Sequence, residues 1–338
     1  MNHEVMRPRD IAAAIAVMAI WGINFVAIDI GLDRMPPLLF CALRFALAAF
    51  PAVLFVGKPQ VAWKWVIGVG LMLGVVKFAF LFGGMAAGMP AGLSSLVLQS
   101  QAVFTLVFAF TLLRERPSRR QWIGTGVAAL GIVLVALRFG AGGPFGAFLL
   151  VVGAGAAWGL SNMAMRRAAP PDMLKFMVWV SAVATLPLVA LSLVLEGPPH
   201  LDLDLAGIGA LVYIAYISTL AGFAVWGSLI RRYTAATVAP FSMFVPFFGI
   251  ASATLFLGEQ IHATDLIAGL LVVGGVLYGA RTPSAPATAP PAIPADAPAA
   301  ASAITPARTP SAPATASASI PADAPAAASA ATPARTPS

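Results

Sequence analysis

The sequence predicts an all-α membrane protein of ten transmembrane helices, built as two inverted five-helix repeats and followed by a disordered C-terminal tail. Three observations predict it. The chain is 59% hydrophobic and 10% charged, with a mean hydropathy of +0.89, whereas a soluble domain carries about a quarter charged residues. The charges gather between apolar runs of membrane-crossing length. Finally, landmarks recur in order. Trp21-Gly22 returns as Trp158-Gly159, Pro51 as Pro187, Glu115 as Glu259 and Gly131 as Gly275. An odd number of crossings per copy sets the two copies upside down relative to each other.

Ten spans are read at 11–32, 37–57, 63–87, 91–113, 119–138, 145–166, 173–195, 206–230, 235–257 and 264–280. Each approaches the ~20 residues that a ~30 Å hydrocarbon core requires. The breaks carry turn chemistry: Met35-Pro36-Pro37, Gly88-Met89-Pro90, Gly140 to Pro144, Ala169-Pro170-Pro171 and Gly197-Pro198-Pro199. The spans divide into a first repeat over 8–138 and a second over 145–281. Basic residues set the orientation. Arg7, Arg9, Lys58, Lys64, Arg114, Arg116, Arg119, Arg120, Arg166, Arg167, Lys175, Arg231, Arg232, Arg281, Arg308 and Arg335 fall on one side. Only Arg34 and Arg138 fall in loops on the other, with Glu196, His200, Asp202 and Asp204. This bias predicts an integral protein of the bacterial cytoplasmic membrane with both termini inside the cell. The net charge of +7 therefore sets topology and implies no nucleic-acid partner.

Residues 282–338 are Ala, Pro, Ser and Thr with almost nothing large and apolar. The segment starting at Ala280 returns at Ala307 and begins again at Ala334. Such a composition cannot bury enough surface to offset ordering entropy, so a disordered tail is expected. The first apolar run is long enough to span, and no small-residue cleavage site follows it. A single cysteine, Cys41, allows no intrachain disulfide. The sequence has no His-Glu-x-x-His zinc motif, no rhomboid-like nucleophile, no Gly-x-Gly-Asp aspartyl pair and no P-loop, since Gly57-Lys58 runs into Pro59. Neither an enzyme nor an ATP-driven pump is expected, and no cofactor or metal is implied.

Ionisable groups at membrane depth need a partner or a function. Lys77 lies near the middle of the third span. It either faces a substrate path and attracts a carboxylate, or pairs with backbone carbonyls and steadies packing. Asp29 and Arg44 flank the Met35-Pro36-Pro37 turn at similar depth, which predicts a structural salt bridge between the first two helices. Trp21 and Asn24 share a helix face, as do Trp158 and Asn162. An Asn in apolar surroundings finds its partners in another helix or in a polar substrate. In the fourth span Gln99 and Gln101 point about 200° apart at 3.6 residues per turn. The small-residue stripe favours Gln99 for the pathway and leaves Gln101 for an interhelical bond. Tyr213 and Tyr216 lie deep enough to line a cavity. Glu115 and Glu259, each closing a fourth span, are read as bonding a neighbouring helix terminus. The substrate-pathway candidates are thus Asn24, Lys77, Gln99, Trp158, Asn162 and Tyr213.

Several segments together resemble the EamA-type transporters of the drug/metabolite transporter superfamily. They are Trp21-Gly22-Ile23-Asn24-Phe25-Val26, Gly31-Leu32, Met35-Pro36-Pro37-Leu38, Leu43-Arg44-Phe45, the run Phe78 to Phe82, and Gly88-Met89-Pro90-Ala91-Gly92-Leu93. Ser95 to Gln99 and Val238-Ala239-Pro240 continue the likeness. Within that family the chain is most similar to the cysteine and O-acetylserine exporter branch. One departure is Lys77, where the resemblance implies an uncharged polar residue. The resemblance implies a secondary transporter in the lipid bilayer exporting small polar metabolites, amino acids of the cysteine pathway, by alternating access of the two repeats. The alternatives are export of other amino acids or drugs on the same fold, or a channel or lipid-moving protein. The sequence assigns neither the coupling ion nor the oligomeric state.

Overall fold

A computed structural model describes residues 6–140, 144–198, 201, 204–233 and 235–280. The tail, and with it Arg281, His200 and Asp202, lies outside the described residues. Ten helices are long and apolar enough to cross a membrane: α1 Pro8–Leu32, α2 Pro37–Leu54, α3 Trp63–Ala86, α4 Ala91–Leu112, α5 Arg119–Phe139, α6 Phe145–Ala168, α7 Met173–Leu195, α8 Leu205–Tyr233, α9 Ala239–Leu257 and α10 Ala263–Ala280. No strand occurs among the described residues. Local chemistry sets the ends. Prolines open α1 and α2, where a missing N–H costs nothing. Asp172 caps α7 by accepting from the Lys175 N–H at 3.0 Å, and Asp204 caps α8 by accepting from the Gly207 N–H at 2.7 Å.

The packing repeats as the sequence does. α2 packs on α7 and α5 on α10, each joining equivalent helices of the two repeats. α4 packs on α6, and α9 packs on α1 in the same way. The glycine of each Trp-Gly landmark makes the last two contacts possible. A Cβ at Gly22 would run into Phe248 Cβ, and one at Gly159 would lie 2.8 Å from Phe104 Cβ. Phe104 and Phe248 hold equivalent places in the two repeats. Close backbone approach through small residues is how helices associate where lipid removes the hydrophobic drive. Large side chains such as Leu137, Leu186 and Leu255 are left exposed, facing the membrane.

Two spans are interrupted at equivalent places. α3 is π-helical over Gly70–Lys77 and α8 over Tyr213–Ala221. α4 also breaks at Leu98-Gln99, and α9 begins as a 3₁₀ turn over Ala239–Phe244.

The expected Asp29–Arg44 salt bridge does not form. Equal depth joins two side chains only where their helices lie side by side, but α2 packs chiefly on α7 and makes little contact with α1. The Arg44 guanidinium turns instead toward α3 and α8.

Candidate functional site

The two π-helical segments hold two of the deep polar groups, Lys77 and Thr219. A π turn closes its bonds five residues apart and puts one extra residue in the turn, which frees backbone groups for other partners. In α8 the Trp21 Nε1–H uses one, donating to the Ser218 carbonyl at 3.0 Å. Trp158, equivalent to Trp21, faces the corresponding segment of α3, where the Lys77 Nζ lies 5.0 Å from its ring centre.

Lys77 is buried and closes the π segment of α3. Its Nζ sits 3.3 Å from the centre of the Phe78 ring. The Arg44 guanidinium carbon lies 4.1 Å from the same centre, 4.9 Å from that of Phe45 and 5.8 Å from that of Phe82. Aromatic faces attract cations by their quadrupole, worth about 2 kcal/mol when desolvated. Arg44 donates from Nη2 to Thr219 Oγ1 at 3.0 Å. The Thr219 hydroxyl in turn donates to the Ile214 carbonyl at 2.8 Å. Arg44 Nε and Nη1 are buried and meet no acceptor among the described residues. Neither cation pairs with a carboxylate among the described residues. Two buried cations around one ring, with two guanidinium nitrogens lacking an acceptor, form an arrangement suited to an incoming carboxylate.

The other sequence-predicted residues are placed differently. Asn24 is buried and its Oδ1 meets no donor among the described residues. Gln99 is buried at the break in α4, with its Nε2 3.8 Å from Met243 Sδ. The Tyr213 hydroxyl donates to the Ile20 carbonyl at 2.8 Å. Asn162 Nδ2 donates to Gln101 Oε1 at 2.9 Å and Thr105 Oγ1 at 3.0 Å, joining α6 to α4. Of the candidates, Lys77 and Trp158 therefore meet directly. Arg44, Phe78 and Thr219 complete the group. Sequence reasoning had given Arg44 to a structural pair and had no means to place Thr219.

The two ends of the bundle differ in charge. At the acidic end Glu196 accepts from the Leu38 and Leu39 N–H groups at 2.7 and 3.0 Å. Glu259 likewise accepts from Ala91 and Gly92 at 2.6 and 3.0 Å. Each carboxylate meets the positive end of a helix. Asp265 pairs with Arg138 at 2.6 Å, beside His262, lining a cavity of about 150 Å³ with Glu259. The Gly207 N–H, and then Arg34, hold the Asp204 carboxyl below the usual carboxylate range. At the basic end Glu115 pairs with Arg166 at 2.8 Å, and Asp10 accepts from the Tyr233 hydroxyl at 2.6 Å.

Comparison with known proteins gives this arrangement a context. The EamA-like transporter family profile matches residues 9–137 and again 145–278. The chain is 38% identical to a protein of Salmonella typhimurium named "Probable amino-acid metabolite efflux pump", over 80% of this chain and 94% of that one. It is 36% identical to an Escherichia coli protein of the same name, over 82% and 97%. A "Probable terminal-alkyne amino-acid exporter" of Streptantibioticus cattleyicolor is 25% identical over 78% and 91%. One solved crystal structure superposes with a TM-score of 0.55 at 20% identity, covering 81% of this chain and 98% of its own, and shows the fold alone. With ten membrane-length helices and a family match over most of its length, this integral membrane chain belongs to the EamA-like transporter family.

Proposed function

We propose that the protein exports small polar metabolites that bear a carboxylate, amino acids of the cysteine pathway first among them, by alternating access. The observation that carries this reading is the pair of buried cations, Arg44 and Lys77, on the Phe78 ring with no carboxylate of their own among the described residues. A substrate carboxylate satisfies the free Arg44 donors, and Lys77 supplies a second positive charge. Site residues come from both repeats: Arg44, Lys77 and Phe78 from the first, Trp158 and Thr219 from the second. Movement of one repeat against the other therefore changes the site's access. The names of the Salmonella and Escherichia relatives support amino-acid export. The basic-residue bias supports a cytoplasmic membrane location with both termini inside.

A second reading, export of other amino acids or of drug-like acids, is favoured by the rings of Phe45, Phe78, Phe82 and Trp158 around the cations. One experiment addresses both. The purified protein in proteoliposomes is loaded in turn with cysteine, O-acetylserine, aromatic amino acids and larger organic acids, and counterflow of labelled substrate is measured. Counterflow of O-acetylserine or cysteine, lost in Lys77→Met with folding retained, supports the first reading. Normal transport by Lys77→Met removes the proposed site, and absence of counterflow with steady leak points to a channel.

A further inference from the structure

Glu115 and Glu259 sit 144 residues apart, and their backbones match. Each follows a left-handed residue, Arg114 at φ 54° and Gly258 at φ 69°. Each N–H turns back to an equivalent carbonyl, Glu115 to Ala109 at 3.1 Å and Glu259 to Ala253 at 3.3 Å. The two helix ends therefore present their carboxylates alike. What the carboxylates do differs. Glu259 spans to the start of the other repeat's fourth helix and takes the Ala91 and Gly92 N–H groups. Glu115, with its side chain 43% exposed, pairs with Arg166. The residues equivalent to Ala91 and Gly92 are Ala235 and Ala236, at the start of a helical turn, Ala235–Val238, that precedes α9.

Packing follows the same division. At the acidic end, Val245–Leu257 of α9 lies against Ala91–Val97 of α4. At the basic end, Ser100–Leu112 of α4 has no comparable packing on residues 235–244 among the described residues. Among the described residues the fourth and ninth spans thus pack chiefly toward one end, and it is the end where the glutamate is engaged.

We infer that Glu259 and Glu115 are alternate latches of the transport cycle. Glu259 holds the acidic end shut by tying the ninth span to the start of α4. In the opposite state Glu115 leaves Arg166 and takes the N–H groups of Ala235 and Ala236, shutting the basic end as Glu259 lets go. This inference rests on the alternating-access reading but not on the identity of the substrate site.

Leu93 is 5% exposed and lines the acidic-end cavity behind Glu259, so a cysteine there reports opening of that end. The test is the rate of maleimide alkylation of Leu93→Cys in the full chain, purified in detergent and corrected for buried Cys41. Glu259→Gln removes the charge and leaves one amide oxygen for two N–H donors. It should raise the rate about tenfold, the equilibrium change expected from losing one charge-assisted hydrogen bond. Glu115→Gln weakens the opposite state and should lower the rate. A structural role for both residues would not move the rate in opposite directions. Gly92→Ala provides a second route, since its Cβ would lie 2.9 Å from Glu259 Oε2, and it should raise the rate as Glu259→Gln does. Unchanged alkylation in folded Glu259→Gln or Gly92→Ala protein, or a shift of the same sign in both glutamate variants, overturns the inference. Because no substrate enters the assay, normal transport by Lys77→Met would refute the proposed site and leave this result intact.

Discussion

Arg44 and Lys77, from neighbouring helices of one repeat, hold their charges over a single ring, that of Phe78. The ring screens two cations that would otherwise repel in a poorly polarisable interior. Removing either charge lowers the attraction for an anion but relieves that repulsion. Arg44→Met should therefore leave the protein folded and weaken binding of a carboxylate substrate about 10- to 100-fold, the range for a hydrogen bond to a charged group. Isothermal titration of the purified protein with its best counterflow substrate measures this; unchanged affinity would remove Arg44 from the site.

Gly22 and Gly159 are expected to be intolerant of any side chain. Gly22→Ala and Gly159→Ala each drive a Cβ into the facing helix and should cost about 1–3 kcal/mol, as overpacking does. Gly269→Ala, where a Cβ would meet nothing within 4 Å, is the control and should leave stability unchanged. Thermal unfolding followed by tryptophan fluorescence compares the three.

Asn162 and Gln101 should be energetically coupled. Interhelical side-chain bonds in membranes average about 0.6 kcal/mol in double-mutant cycles. A cycle of Asn162→Leu and Gln101→Leu should give a coupling near that value, measured by denaturant unfolding. A coupling of zero would mean that the bond is idle.

Asp204 gives a pH dependence of known sign. Its carboxyl lies below the usual range in the folded chain because the Gly207 N–H and Arg34 favour the charged form. Its contribution to stability is therefore present above the ordinary carboxylate pKa of about 3.9 and lost as pH falls through the lower folded value. Thermal midpoints of the protein and of Asp204→Asn should differ at pH 6 and converge as the pH drops below that range. A constant difference across the titration would argue against it.

Much of this was legible in the residues. Apolar runs placed all ten spans to within a few residues, because length and hydropathy alone decide what crosses a bilayer. The recurring Trp-Gly and terminal Glu marked the repeats for a physical reason. Gly22 and Gly159 stand where helices touch, and Glu259 reaches a helix start that lies 167 or more positions away in sequence. Arg44 was misplaced because sequence gives the depth of a residue but not the direction in which its helix turns. Its hydrogen-bond partner, Thr219, lies 175 residues away. The two π-helical segments left no trace in the sequence, since an added residue within a turn alters neither composition nor hydropathy.

Those segments make α3 and α8 unusual in how they would bear a change of length. A residue lost from an ordinary helix swings everything beyond it by about 100°. A π turn already absorbs one surplus residue, so a loss between Gly70 and Lys77 would let the segment wind as α while the residues on either side stay in phase. Phe78 and Phe82 would keep their side of α3, and what would go is the wide turn itself, which ends at Lys77. The same loss between Tyr213 and Ala221 would close the turn whose Ser218 carbonyl meets Trp21. These two short stretches can be shortened by one residue without turning the rest of the span, and the cost falls on the site.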